Sequence, residues 1–147
     1  MGAPIDESHI VVAFERAPRL VDALVAAGPY ASIDDALHRA AQLIKGLGEA
    51  TQVALLNAHP RIGADPAGLS DASAREQGTA DAATLAELAS LNDEYELRFG
   101  FRFVVFVAGR PQSAIAPVLR ERLTHDRETE LATGLREFLA IAGDRLA

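Results

Sequence analysis

Apolar residues recur at intervals of three and four along most of this chain, the spacing of helices with one buried side. Met1 to Ile10 lacks the pattern and reads as an extended or poorly ordered lead-in. Val11 to Ala27 carries Phe14, Leu20, Val21, Leu24 and Val25, with Pro18 suited to a helix start and Gly28-Pro29 to its end. Ser32, followed by Asp34 and Asp35, has the form of an N-cap. Leu37, Ala40, Ala41, Ile44 and Leu47 then mark a buried stripe, with His38 off it and facing water. Glu49 to Ala58 predicts a short helix with Ala50, Val53 and Leu56 inward, which Pro60 should stop at about His59.

The next segment, Arg61 to Asp71, is poor in apolar residues and holds Gly63, Pro66 and Gly68, so it reads as a loop. Ser73 opens a turn or helix that places Glu76 and Gln77, and Gly78 breaks or bends it. Asp81 to Phe99 is the clearest helix, with Leu85, Leu88, Leu91 and Tyr95 on one side. Phe99 to Val107 (FGFRFVVFV) has strand-like composition, but no other run in the chain can pair with it. It is therefore read as an extended connector between helices, whose backbone amides are available to a ligand. Beyond Gly109-Arg110-Pro111 a helix is expected within Ser113 to Thr124, with Pro117 in its first turn. Asp126 caps a last helix in which Leu131, Leu135, Phe138, Ala142 and Leu146 share one side. Arg145 lies on that apolar side and Arg136 opposite it. The sum is an all-α fold, a single-domain bundle of about six to eight helices over residues 1–147 with one extended connector.

Charge and composition narrow the function. A net charge of −7 without a Lys/Arg cluster argues against nucleic acid or an acidic membrane as partner. The absence of cysteine excludes disulfides, thiolate nucleophiles and cysteine-ligated metals. The histidines (His9, His38, His59, His125) are scattered and no H-x-x-x-H pair occurs, so no metal site is expected. There is no G-x-S-x-G, phosphate loop or dinucleotide fingerprint. No apolar run reaches the roughly 18 to 20 residues of a membrane span, and the N-terminus lacks the basic and apolar regions of a signal peptide. The cytoplasm is the expected compartment.

Two short motifs remain as candidate chemistry, His59-Pro60-Arg61-Ile62-Gly63 and Ser73-Ala74-Arg75-Glu76-Gln77. At a helix C-terminus the dipole would favour the imidazolium of His59, and a histidine so placed can move a proton near neutral pH. Each motif also has a purely structural reading, the histidine as a helix cap and Ser73-x-x-Glu76 as a capping box. Arg145, near the chain end, can reach out to water or face a ligand. A non-catalytic helical binding module is thus the alternative to an enzyme, and in it His59, Glu76, Gln77 and Arg145 point apart.

The order of the pieces distinguishes these readings. HPRIG, then SAREQ, then LNDEYELRFGFRFV, then a terminal helix ending IAGDRL resembles the 2-oxo-4-hydroxy-4-carboxy-5-ureidoimidazoline (OHCU) decarboxylases of urate catabolism, over nearly the whole chain and least before about residue 40. The resemblance implies a decarboxylase that converts OHCU to (S)-allantoin with no metal or organic cofactor, its partner being that small molecule. It implies His59 as general acid/base and Glu76 as its catalytic partner. Pro60, Ser73, Gln77 and Arg145 would contact substrate from their side chains, and Phe103 and Val105 from the main chain of the connector. A homodimer is implied by the family alone. The chain departs from the pattern at Arg102, where many relatives carry proline, and this leaves the connector's geometry open. A cofactor-free proton-transfer enzyme acting on a related ureido acid is the nearest alternative reaction.

Overall fold

The computed structural model describes residues 4–63 and 81–147. Among these are seven helices and no strand: α1 (Glu7–Ala13), α2 (Pro18–Ala27), α3 (Ile33–Lys45), α4 (Glu49–Asn57), α5 (Ala82–Phe99), α6 (Gln112–Arg122) and α7 (Arg127–Leu146). The all-α expectation holds, connector included. The long α7 is the central element and packs on α1, α3 and α4, while α5 packs on α6 and α2 on α3.

Local side-chain hydrogen bonds decide where several helices begin. Ser32 Oγ accepts from Asp35 N at 3.1 Å, Asp81 Oδ1 from Thr84 N at 2.7 Å and Asp126 Oδ1 from Thr129 N at 2.7 Å. The lead-in differs from the expectation. Asp6 and His9 form a reciprocal capping box that starts α1 at Glu7, and Ile5 pairs with Tyr30 through two backbone hydrogen bonds. Pro18 excludes helical backbone at Ala17, so α1 and α2 are separate helices. In α3 the buried stripe is Ala36, Ala40 and Ile44, with Leu37 at its flank and Ala41 exposed. Leu85 of α5 is also partly exposed, whereas Leu88, Leu91 and Tyr95 are buried.

A second difference concerns α6. The helix starts at Gln112, so Pro117 stands in its interior. Pro117 and Ser113, the residue whose carbonyl it leaves without a helical donor, are both on the exposed side, where water can serve that carbonyl.

The connector between Gly100 and Pro111 is extended and largely buried: Phe101, Phe103, Val104, Val105 and Val107 have almost no exposed surface. With no strand beside it, side chains serve its backbone. Arg122 Nη1 donates to the Val104 carbonyl at 2.7 Å, and Arg110 donates to those of Phe106 and Val107 at 2.6 and 2.9 Å. Arg122 is itself buried. Its Nε donates to Glu130 Oε1 at 2.7 Å, and its guanidinium lies 4.5 Å from the centre of the Phe103 ring. Glu130 is fully buried and also accepts from the Tyr95 hydroxyl at 2.6 Å, with His125 Nδ1 2.8 Å from its other oxygen. Burial and the bond to Glu130 push the Tyr95 phenol up.

Removing Glu130 would leave the Arg122 charge buried and uncompensated, which costs about 3–5 kcal/mol. Glu130→Ala should therefore lower the urea midpoint severely. Asp93→Ala, which cuts an exposed ion pair with Arg61, should cost less than about 1 kcal/mol. Equal effects of the two substitutions in urea unfolding would contradict this placement of the stabilising charge.

Candidate active site

The histidine of HPRIG stands just past the end of α4. Ala58 is the last residue with helical backbone, the His59 amide still donates to the Leu56 carbonyl at 3.1 Å, and Pro60 turns the chain away. The following residues are tied to α5. Arg61 pairs with Glu96 at 2.6 Å and Asp93 at 2.8 Å, and Asn92 Nδ2 donates to the Ile62 carbonyl at 3.2 Å. Gly63, at φ +83°, adopts the left-handed backbone that glycine tolerates. On the other side the His59 ring meets Phe138 of α7 edge-on, with centroids 5.1 Å apart.

These elements line a small open-mouthed cavity, with about 450 Å³ of unfilled space when the solvent at its mouth is included. One wall is His59, Pro60 and Ile62, a second is the connector from Phe103 to Val107, and a third is Ile141 and Arg145 of α7. Five of the expected site residues therefore converge here: His59, Pro60, Phe103, Val105 and Arg145. Ser73, Glu76 and Gln77 lie outside the described residues. Of the four residues that point apart in a binding module, His59 and Arg145 line this one cavity, and Glu76 and Gln77 are outside the described residues.

Arg145 is the one charged side chain among the described lining residues, and its side chain is only 4% exposed. Nη2 lies 3.3 Å from Glu15 Oε1, and Nη1 donates to the Ala13 carbonyl at 3.4 Å. Glu15 belongs to the corner between α1 and α2, next to Arg16, whose φ of +63° is a strained conformation for a residue with a side chain. From that corner Arg16 donates to the Ala58 carbonyl at 3.4 Å. Arg102 approaches the same helix end from the connector, donating through Nη1 to the carbonyls of His59 at 2.7 Å and Asn57 at 3.2 Å.

This environment overturns the expectation that the helix dipole would favour the imidazolium. Burial first, and then the Arg145 guanidinium, push His59 down to about 4; Glu15 opposes the shift and Arg16 and Arg102 add to it. The carbonyls that would have supplied negative potential are already met by guanidiniums. Glu15, Arg16 and Phe138 were not identified from sequence, because their relation to His59 exists only once α1 and α7 pack together. Among the described residues no group of three His, Asp or Glu side chains is placed to hold a metal. The cavity offers a neutral imidazole and a guanidinium against the apolar connector, a set suited to holding a small anion and moving a proton on it.

Comparison with known proteins identifies the lineage. The OHCU decarboxylase family model matches residues 7–147. The chain belongs to the OHCU decarboxylase family. It is 32% identical over 152 residues to the 2-oxo-4-hydroxy-4-carboxy-5-ureidoimidazoline decarboxylase of Haloferax volcanii, covering 97% of this chain and 90% of that protein. It is 34% identical over 139 residues to the uric acid degradation bifunctional protein PucL of Bacillus subtilis, covering 91% of this chain but only 28% of that longer protein. The fold matches the crystal structure of OHCU decarboxylase in the presence of (S)-allantoin with a TM-score of 0.79, at 24% identity over 97% of this chain and 96% of that one. No helix among the described residues of this family member is long and apolar enough to cross a membrane.

A histidine whose folded value lies near 4 binds its proton less readily than the unfolded chain, whose value is near 6.5. Its contribution to stability is therefore complete above about 6.5 and is lost as pH falls from there toward 4. An NMR titration should find the His59 ring neutral at pH 6, and Arg145→Gln should raise its midpoint. A midpoint at or above 6.5 in the wild-type protein would refute the assignment.

Proposed function

We propose that this chain decarboxylates 2-oxo-4-hydroxy-4-carboxy-5-ureidoimidazoline to (S)-allantoin. The observation that carries the reading is the convergence of His59 and Arg145 on one cavity whose far wall is the connector, in a member of this family. The substrate's own structure makes the chemistry accessible to such a site. Its carboxylate is attached to the hydroxyl-bearing ring carbon, next to a ring C=N. When that carbon–carboxylate bond breaks and carbon dioxide leaves, the C=N takes up the electron pair and its nitrogen takes a proton from water. The hydroxyl then loses its proton as the ring carbonyl forms, and the neighbouring ureido-bearing carbon gains one on a single face. The built-in electron sink leaves the protein the tasks of orientation and proton transfer.

In this reading Arg145 pairs with the substrate carboxylate or a ring carbonyl. Neutral His59 takes the hydroxyl proton and supplies the proton to carbon. An arriving carboxylate offsets the guanidinium charge, which moves the imidazole up from about 4 toward the range where it can both accept and donate. The main chain at Phe103 and Val105 holds the ring from the connector side, and Pro60 closes the wall beside His59. Ser73, Glu76 and Gln77 complete the site, with Glu76 bonded to substrate N–H or hydroxyl groups and sharing in proton transfer.

The test is stereochemical. Urate is oxidised and hydrolysed to the substrate in situ, the protein is added, and the circular dichroism of allantoin is followed against a control without it. One enantiomer should appear rapidly. His59→Ala or Glu76→Ala should lower turnover by about 10²–10⁴-fold, and Arg145→Ala should act mainly on KM. Racemic allantoin at the spontaneous rate would remove the reading.

A further inference from the structure

Arg102 belongs to the connector, one residue before Phe103, and its hydrogen bonds all go to the end of α4 that carries His59. Its backbone N–H donates to Asn57 Oδ1 at 2.9 Å, so the connector is joined to the last residue of α4 just before Phe103. Its side chain returns to the same helix end and bridges the carbonyls of Asn57 and His59. The peptide that carries the imidazole and the backbone of Phe103 to Val105 are thus held together by one residue. Arg16 serves the Ala58 carbonyl between them, but it comes from the α1–α2 corner and does not touch the connector. Both bonds run from the one nitrogen Nη1, so the bridge depends on where the rigid guanidinium holds that nitrogen, which a flexible lysine stem reproduces only in part.

We propose that Arg102 is a positioning residue for the reaction, setting the distance and angle between the His59 ring and the connector backbone across the cavity. The proposal rests on the reading of His59 as the proton-transfer group. Arg102 itself contributes two hydrogen bonds to backbone and none to the reacting atoms. Its loss therefore displaces a catalytic group and leaves the carboxylate-binding guanidinium of Arg145 in place. A misplacement of about 1 Å in such a group costs on the order of 100-fold in rate.

The experiment compares Arg102→Ala, Arg102→Lys and, as a control for loss of a surface guanidinium, Arg136→Ala, whose side chain is exposed and, among the described residues, bonds to Thr133. Steady-state kinetics should show kcat of Arg102→Ala reduced about 100-fold with KM within about threefold. Arg102→Lys should fall between, and millimolar methylguanidinium should restore part of the kcat of Arg102→Ala. Arg136→Ala should match the wild type. A kcat for Arg102→Ala within about twofold of wild type overturns the proposal. So does a loss that merely follows the folded fraction seen by far-UV circular dichroism and does not respond to methylguanidinium. Should the wild-type protein itself not turn over the substrate, the reading of the reaction fails separately. The clamp is then judged from the imidazole NMR signals of His59: sharp in the wild type and shifted or broadened in Arg102→Ala supports it, and unchanged signals overturn it.

Discussion

The ion pair between Arg122 and Glu130 is the constraint from which the cavity follows. A buried strand-like segment without a neighbouring strand has carbonyls that must be served, and an orphaned buried carbonyl costs about as much as a lost hydrogen bond. Arg122 meets that need at Val104, at the middle of the connector. A guanidinium in the core is itself costly unless its charge is compensated, which is what Glu130 does from the first turn of α7. Tyr95 from α5 shares the same carboxylate oxygen. One network therefore fixes α5, α6, α7 and the connector relative to one another, and the inner wall of the cavity is held by charge where a sheet would have used a ladder of backbone bonds.

The opposite wall is built on a different principle. The end of α4 would ordinarily present unsatisfied carbonyls and negative potential, but here guanidiniums from two other parts of the chain occupy that end. Gly134 allows this wall to come close to α7, since a methyl group there would stand 3.0 Å from Leu56. The outcome is an imidazole held neutral against an aromatic edge, beside an arginine that faces Glu15.

What the sequence disclosed follows from how local each interaction is. Ser32, Asp81 and Asp126 were legible as caps because each bonds to an amide three residues on. The connector was legible because nothing else in the chain could pair with it. Asp6 begins a helix in the same local way, yet in that short helix the apolar residues stand together from Ile10 to Ala13 and show no period. Glu130 stands in the first turn of the last helix, where a carboxylate needs no partner beyond the helix itself, and only packing reveals it as the buried partner of Arg122. The protonation of His59 was misjudged for the same reason, because a dipole is read from one helix and burial from three. The meeting of His59, Phe103, Val105 and Arg145 came from the order of family motifs, since no periodicity relates residues that far apart. Of Ser73, Glu76 and Gln77 the described residues give no account.

The three guanidiniums around His59 have a consequence at a larger scale. The protein as a whole is acidic, so a small anion far from the surface meets a repelling field, while within the last few ångströms it meets an attracting one. At physiological ionic strength the screening length is about 8 Å. Dissolved salt thus erases most of the long-range repulsion and leaves the charge of the buried Arg145 side chain nearly intact. The surface charge and the site charge therefore act over separate distances.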